Sequence, residues 1–175
     1  MKDVLALLAR IGTGLERGLI DQRVAAHYLG AHLCRRLYCS RAALWTIRDA
    51  PTGATLTRVG GFDALADRPL ADIVALEIDA PSAWLGELLA RGVYASNNAA
   101  TDRLLIVQRD GYLAPGRVGA LLQAAIGTDA RVCGVISCEH VGSARAWTRD
   151  DALLLRHVAE AVSQRRARRL DSQRT

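Results

Sequence analysis

Two apolar runs, RVGALLQAAIG (Arg117–Gly127) and ARVCGVISCEHVG (Ala130–Gly142), lie one after the other near the end of the chain with only Thr128–Asp129 between them. Both read as strands. So short a link can only bring the chain back antiparallel to itself, because a parallel crossover needs a dozen residues or more. An earlier stretch repeats the arrangement. SRAALWTIR (Ser40–Arg48) is a strand, DAPTG (Asp49–Gly53) is turn chemistry, and ATLTRVGG (Ala54–Gly61) returns as a second strand. Two hairpins built this way predict an antiparallel sheet, and helices must then gather on its faces.

The helices are expected at both ends. Over residues 3–18, Val4, Leu7, Leu8, Ile11 and Leu15 recur at helical spacing, with Gly12, Gly14 and Gly18 weakening the second half. Asp21 is suited to cap a second helix running to about Tyr38, with Val24, Ala25, Tyr28, Leu29, Leu33 and Leu37 facing inward. His27 and His32 fall on that helix and are given no role. Residues 62–80 show no clear period and read as irregular. PSAWLGELLARG (Pro81–Gly92) is a short helix with proline in its first turn and glycine closing it. VYASN is a brief strand, and NAATDRLL and QRDGYLAPG are connectors with helical turns. Thr148 caps a last helix, with Asp151 three residues on, and Leu154, Leu155, Val158, Ala161 and Val162 form its apolar side. The predicted class is α+β: a central antiparallel sheet of five to six strands, the N- and C-terminal helices on one face, and loops with a short helix on the other. The chain divides into terminal helices over 1–39, a central domain over 40–164 and a basic end over 165–175.

Composition narrows the function. The 175 residues are enough for one domain with a real core, and 50% apolar with 23% charged is ordinary for a globular protein. No apolar run approaches the roughly 20 residues that span a bilayer. Asp3, Arg10, Glu16 and Arg17 make the N-terminus an amphipathic helix rather than a signal peptide, so a cytoplasmic location without a membrane partner is expected. Lys2 is the only lysine among 23 basic residues. The one dense basic run, QRRARR (Gln164–Arg169), closes a helix, where cations are favoured by the helix dipole. It lacks the stripe with neighbouring aromatics that nucleic acid would call for, so nucleic acid is not expected as a partner. Cys34, Cys39, Cys133 and Cys138 form two pairs with a spacing of five, wider than a zinc knuckle, and no metal is expected. In a strand, that spacing sends Cys133 and Cys138 to opposite faces. Glu139 and His140 are adjacent, hence also on opposite faces, and read as structural rather than as an acid–base pair; no catalytic residue is assigned.

Several of these segments together resemble a GAF domain of the type found upstream of bacterial histidine kinases and diguanylate cyclases. They are ALWTIR with its hairpin, the helix carrying Trp84, the Asn98–Ala99–Ala100–Thr101–Asp102 turn, and Tyr112–Leu113–Ala114–Pro115. The last is the run from Gly134 to Gly142 ending in CEHVG, followed by Arg145–Ala146–Trp147–Thr148. The likeness covers about Ser40 to Gln164. It implies a non-enzymatic sensory domain in signal transduction, with a small-molecule pocket between one sheet face and the covering loops. It further implies a homodimer through the terminal helices and a separate effector protein as the output. No cofactor is singled out. The cyclic-nucleotide signature needs a lysine and a phenylalanine pattern that this chain, with Phe62 as its only phenylalanine, does not have. The bilin signature needs a proline after Asp72–Ile73 and a Cys–His doublet. Haem would need an axial histidine, for which none is suited. The free methionine sulfoxide reductases of this family use loop cysteines, whereas residues 49–120 contain none and Cys133 sits in a strand. Within the implied pocket, Trp84, Tyr94, Asn98, Tyr112 and Gln123 offer aromatic faces and amides suited to a small polar ligand. Trp84 suits a core equally, and Asn98 and Asp102 suit a turn. The alternative of another class is a protein-interaction module with a degenerate pocket.

Overall fold

A computed structural model of the chain describes residues 2–51, 53–70, 72, 74–79, 82–128 and 131–172. The elements in order are α1 (Lys2–Glu16), α2 (Gln22–Leu37), β1 (Arg41–Ala50), β2 (Gly53–Asp63), β3 (Arg68–Pro69), β4 (Ala75–Asp79), α3 (Ala83–Arg91) and β5 (Val93–Ser96). A chain of short turns follows: a 3-10 turn over Arg103–Leu105, α4 (Ile106–Gln108) and a π turn over Arg109–Leu113. Then come β6 (Val118–Thr128), β7 (Arg131–Val141) and α5 (Arg149–Ser172).

Both expected hairpins form. β1 pairs antiparallel with β2, and β6 with β7; β1 then pairs with β7, joining the hairpins at the centre of the sheet. The strand order is β3-β2-β1-β7-β6-β5, with β4 also on β2, seven strands rather than five or six. The additional strands come from the stretch that reads as irregular. β3 has two exposed residues, and β4 buries only Ile78 fully, so neither produces an alternation long enough to register in the sequence.

Alternation along β1 separates two cores. Ala42 and Leu44 join the helix-side cluster, with α1, α2 and α5, while Ala43 and Trp45 join a second cluster on the opposite, distal face with α3 and the short turns. The layering is the one predicted. Asp21 caps α2, its carboxylate accepting from Val24 N–H at 2.8 Å. Ala25, Leu29, Leu33 and Leu37 of α2 are buried, but Val24 and Tyr28 face outward, with Tyr28 50% exposed. The helix rests on the β1–β2 hairpin through the i, i+4 row that includes Ala26 and Gly30, which turns the Val24 row away. Gly30 makes this possible, since a Cβ there would lie 2.8 Å from Ala42 O and 2.9 Å from Phe62 N. Thr148 and Asp151 form the expected reciprocal cap on α5, and the arginine-rich segment continues this helix to Ser172. Pro81 and the Asp129 half of the β6–β7 turn lie outside the described residues.

Cys34, Cys39 and Cys138 are buried and free, with the Cys39 thiol 3.9 Å from Cys34 Sγ. Cys133 departs from expectation by packing on the helix-side core with Cys138. Ile126 pairs with Gly134 and Gly127 with Val132, so Cys133 is the extra residue of a bulge, which shifts its side chain to the other face. No helix among the described residues is long and apolar enough to cross a membrane.

Candidate functional site

The distal face takes one row of side chains from each central strand. Trp45 and Arg58 come from β1 and β2, Gln123 from β6, and Val135, Ser137 and Glu139 from β7. α3 crosses above them, positioned by its cap: Ser82 Oγ accepts from Leu85 N–H at 3.3 Å. This places Trp84 inward at 1% exposure, where its Nε1 donates to Gln123 Oε1 at 2.7 Å. Trp45 Nε1 likewise donates to Ser137 Oγ at 2.8 Å. Both indoles on this face therefore have an acceptor on a neighbouring element.

At the edge of this face Tyr94 donates to Asp102 Oδ2 at 2.6 Å, and Asp102 Oδ1 accepts from Leu104 N–H at 3.0 Å, starting the 3-10 turn. Burial opposes the Asp102 charge, but the nearby Ser96 hydroxyl and the hydrogen bonds from Tyr94 and the Leu104 amide outweigh it and hold the carboxyl below its usual range. The short turns that follow carry Leu105, Gln108 and Leu113 down onto the sheet, all three buried. Arg109 Nη2 ties back to Asp102 O at 2.7 Å.

Beneath this cover sits Glu139, 1% exposed. Tyr112 OH donates to its Oε1 at 2.7 Å, while Oε2 is buried without a hydrogen-bond partner. Burial raises the Glu139 pKa; the Tyr112 hydrogen bond and the charges of Arg41 and Arg58 oppose the rise without cancelling it. Burial, then the neighbouring carboxylate, pushes the Tyr112 phenol well above its usual range, so Tyr112 remains the donor. The Tyr112 ring meets Trp45 edge-on at 5.2 Å. The Arg58 guanidinium lies 5.8 Å from the Trp45 ring centre and donates to Asp72 O at 2.9 Å through Nη2. The result is an aromatic-walled site with one under-satisfied carboxylate oxygen. Chemically, it can accept a hydrogen bond or a positive charge.

Four of the five residues singled out in the sequence, Trp84, Tyr94, Tyr112 and Gln123, meet on this face, each bonded to another protein group. Asn98 stands apart, exposed in a turn where its Oδ1 accepts from Ala100 N–H at 3.2 Å. The sequence reading missed Trp45, Arg58, Ser137 and Glu139 as parts of one face. Strand parity alone puts Ser137 and Glu139 together, and the Trp45↔Val135 register brings Trp45 beside them.

Solved structures with the same fold include the chromophore-binding domain of the bacteriophytochrome RpBphP3 from R. palustris. It is 14% identical, with a TM-score of 0.72 over 98% of this chain and 61% of that one. The blue-light absorbing form of the Thermosynechococcus elongatus PixJ GAF domain is 18% identical, with a TM-score of 0.65 over 85% and 87% of the two chains. The A. aeolicus nlh2 GAF domain in an inactive state is 15% identical, with a TM-score of 0.62 over 95% of each chain. At these identities the likeness speaks to the fold. No curated protein sequence matches the chain. A family model for the GAF domain matches residues 22–165, from α2 to the middle of α5. With that match across the sheet and both of its covers, the chain belongs to the GAF domain family.

Proposed function

We propose that the chain is a non-enzymatic sensory domain, cytoplasmic in location, which binds a small molecule on the distal face and passes the signal to a separate effector protein. The observation that carries this reading is the Glu139 carboxylate, buried with Oε2 unpartnered beneath short turns rather than a long helix. An unsatisfied buried acceptor costs about 1–3 kcal/mol, which a ligand N–H donor would recover. The RpBphP3 domain named above is a chromophore-binding domain of this fold, which supports a small-molecule role for the face. Trp84, Tyr94, Tyr112 and Gln123 remain the proposed contacts, with Glu139 added as the polar anchor, while Asn98 is left to its turn. Entry requires the Tyr112–Glu139 hydrogen bond to open and Leu105 and Leu113 to lift. Because β7 carries Glu139 on one face and the core under α5 on the other, such a shift would reach the terminal helices. Leu5 on α1 and Val24 and Tyr28 on α2 are exposed apolar groups suited to a homodimer contact.

A second reading, a protein-interaction module with a closed pocket, draws on the filling of this face by Trp84, Leu88, Leu105 and Leu113, each 1% exposed or less. Native mass spectrometry of the purified protein, repeated under denaturing conditions, separates the two. A mass that accompanies the folded chain, leaves on denaturation and is lost from the Glu139→Gln variant supports the sensor. A mass that this variant retains overturns the site. Bare chains throughout favour the interaction module.

A further inference from the structure

On the opposite face of the sheet, beneath α1, lies a groove of about 580 Å³, within the roughly 300–1,000 Å³ typical of small-molecule sites. Its floor is built by two bulges. Leu44 pairs with Gly60 and Trp45 with Arg58, leaving Val59 as the extra residue of β2, just as Cys133 is the extra residue of β7. Both line the groove. Between them Gly134 pairs with Thr46 and Ile126, and a Cβ there would come within 2.5 Å of Trp45 O, so this close backbone approach requires glycine and the floor carries no side chain at that point. On the α1 wall, Gly12 leaves a gap against which the Arg165 side chain lies at 3.7 Å from where a Cβ would stand.

The lining is apolar below and cationic at one end. Leu8, Ile11, Leu44, Ile126 and Val162 supply apolar lining, and Arg165, Arg166, Arg168 and Arg169 near the end of α5 supply the cationic part. Glu16 and Gln22 lie on the side formed by the end of α1 and the start of α2. An uncharged hydrocarbon would leave the guanidinium rim unused, and a compact anion such as phosphate would leave the apolar floor unfilled. A chain that is apolar along its body and anionic at one end fits both, because burial of the body follows its apolar area and a guanidinium fork matches a carboxylate in two parallel hydrogen bonds. We propose that this groove is a second binding site, distinct from the distal face, for a small amphipathic carboxylate whose head meets the α5 arginines and whose tail lies under α1.

Cys133 provides the readout, because it is half-buried at the floor while Cys34, Cys39 and Cys138 are 5% exposed or less. Alkylation of the full chain by iodoacetamide, followed by mass spectrometry, is measured against dodecanoate. Saturable protection of Cys133 is expected. The Gly12→Leu variant fills the groove and favours the helix, so it should fold and lose protection. Arg165→Gln with Arg168→Gln should weaken it about tenfold or more, corresponding to about 1.4 kcal/mol per factor of ten. No protection by dodecanoate overturns the proposal, as does protection that Gly12→Leu leaves intact. Equal protection by dodecanol, indifferent to the arginine changes, overturns the anionic head. Protection by a short oligonucleotide but not by dodecanoate overturns the ligand class and reassigns the arginines to phosphate contacts. Protection that rises with protein concentration in the absence of dodecanoate overturns it in favour of a second copy of the chain as the occupant.

Discussion

At Glu139 two effects of opposite sign act on one carboxylate. Burial disfavours its charge, and the hydrogen bond from Tyr112 favours it; burial prevails, and the folded-state pKa is raised. A raised carboxyl pKa means that the folded chain binds the proton more tightly than the unfolded one. The associated stability is fully present below the ordinary carboxylate range and is lost as pH rises through the raised folded value. Thermal unfolding of the native chain and of Glu139→Gln, followed against pH, should therefore give a difference in Tm that moves steadily against the native chain as pH rises; a flat difference refutes the assignment. Tyr112→Phe removes the donor to Oε1 and leaves the carboxylate with neither oxygen paired, a loss of about 1–3 kcal/mol in denaturant unfolding at neutral pH. Combined with Glu139→Gln, the loss should be smaller than the sum of the two single changes, since they share one contact. The sequence offered Tyr112 as a ligand contact and Glu139 as a strand ending. That the two are partners rests on a separation of 27 residues, which no local pattern expresses.

Among the elements, α2 and α5 show how helices are tied to this sheet. Arg145, on the loop before α5, donates to Leu37 O and Tyr38 O at the C-terminal end of α2, and its guanidinium lies 4.2 Å from the Trp147 ring centre. It closes one helix and orients the start of the next. Arg145→Lys cannot reproduce the two-pronged geometry, so both Arg145→Lys and Arg145→Ala should lower stability, the latter by about 2 kcal/mol, as read from denaturant midpoints. Gly30 decides a contest of sign. Replacing a helical glycine by alanine gains about 1 kcal/mol of propensity. Here, however, the added methyl meets the backbone at Ala42 O and Phe62 N, which cannot yield as a side-chain tip would. Gly30→Ala is therefore expected to destabilise by about 1–3 kcal/mol, the cost of overpacking, despite the better helix. The existence of every helix of useful length was legible from apolar period and caps. The outward turn of Val24 and Tyr28 was not, because a helix with apolar residues on more than one side does not announce which side meets the sheet.

For the whole molecule, exposed Leu5, Val24 and Tyr28 bear on assembly. Leu5→Glu combined with Tyr28→Glu should convert the proposed homodimer to a monomer in sedimentation velocity while leaving Tm within a few degrees, since both sites face solvent in the single chain. A dimer that persists would move the interface elsewhere. Most of the fold was legible: paired strands with short links can only be antiparallel, terminal helices with apolar stripes must cover a sheet face, and the CEHVG strand ending with its arginine–tryptophan–threonine sequel carried the family. β3 and β4 were not, being edge strands with little to bury. Of the distal site, the aromatics and Gln123 were legible as residue types, and their mutual pairing was not. By itself the sequence determined the local signals: which segments are strand or helix, where they are capped, and that strands alternate between two faces. Only the tertiary structure decided how those faces are occupied. Bulges at Val59 and Cys133 override parity, Tyr112 meets Glu139, and Gly134 lets β7 approach the β1 backbone where a Cβ would meet Trp45 O. These depend on register between strands distant in the chain, and register is settled by the joint packing of both sheet faces.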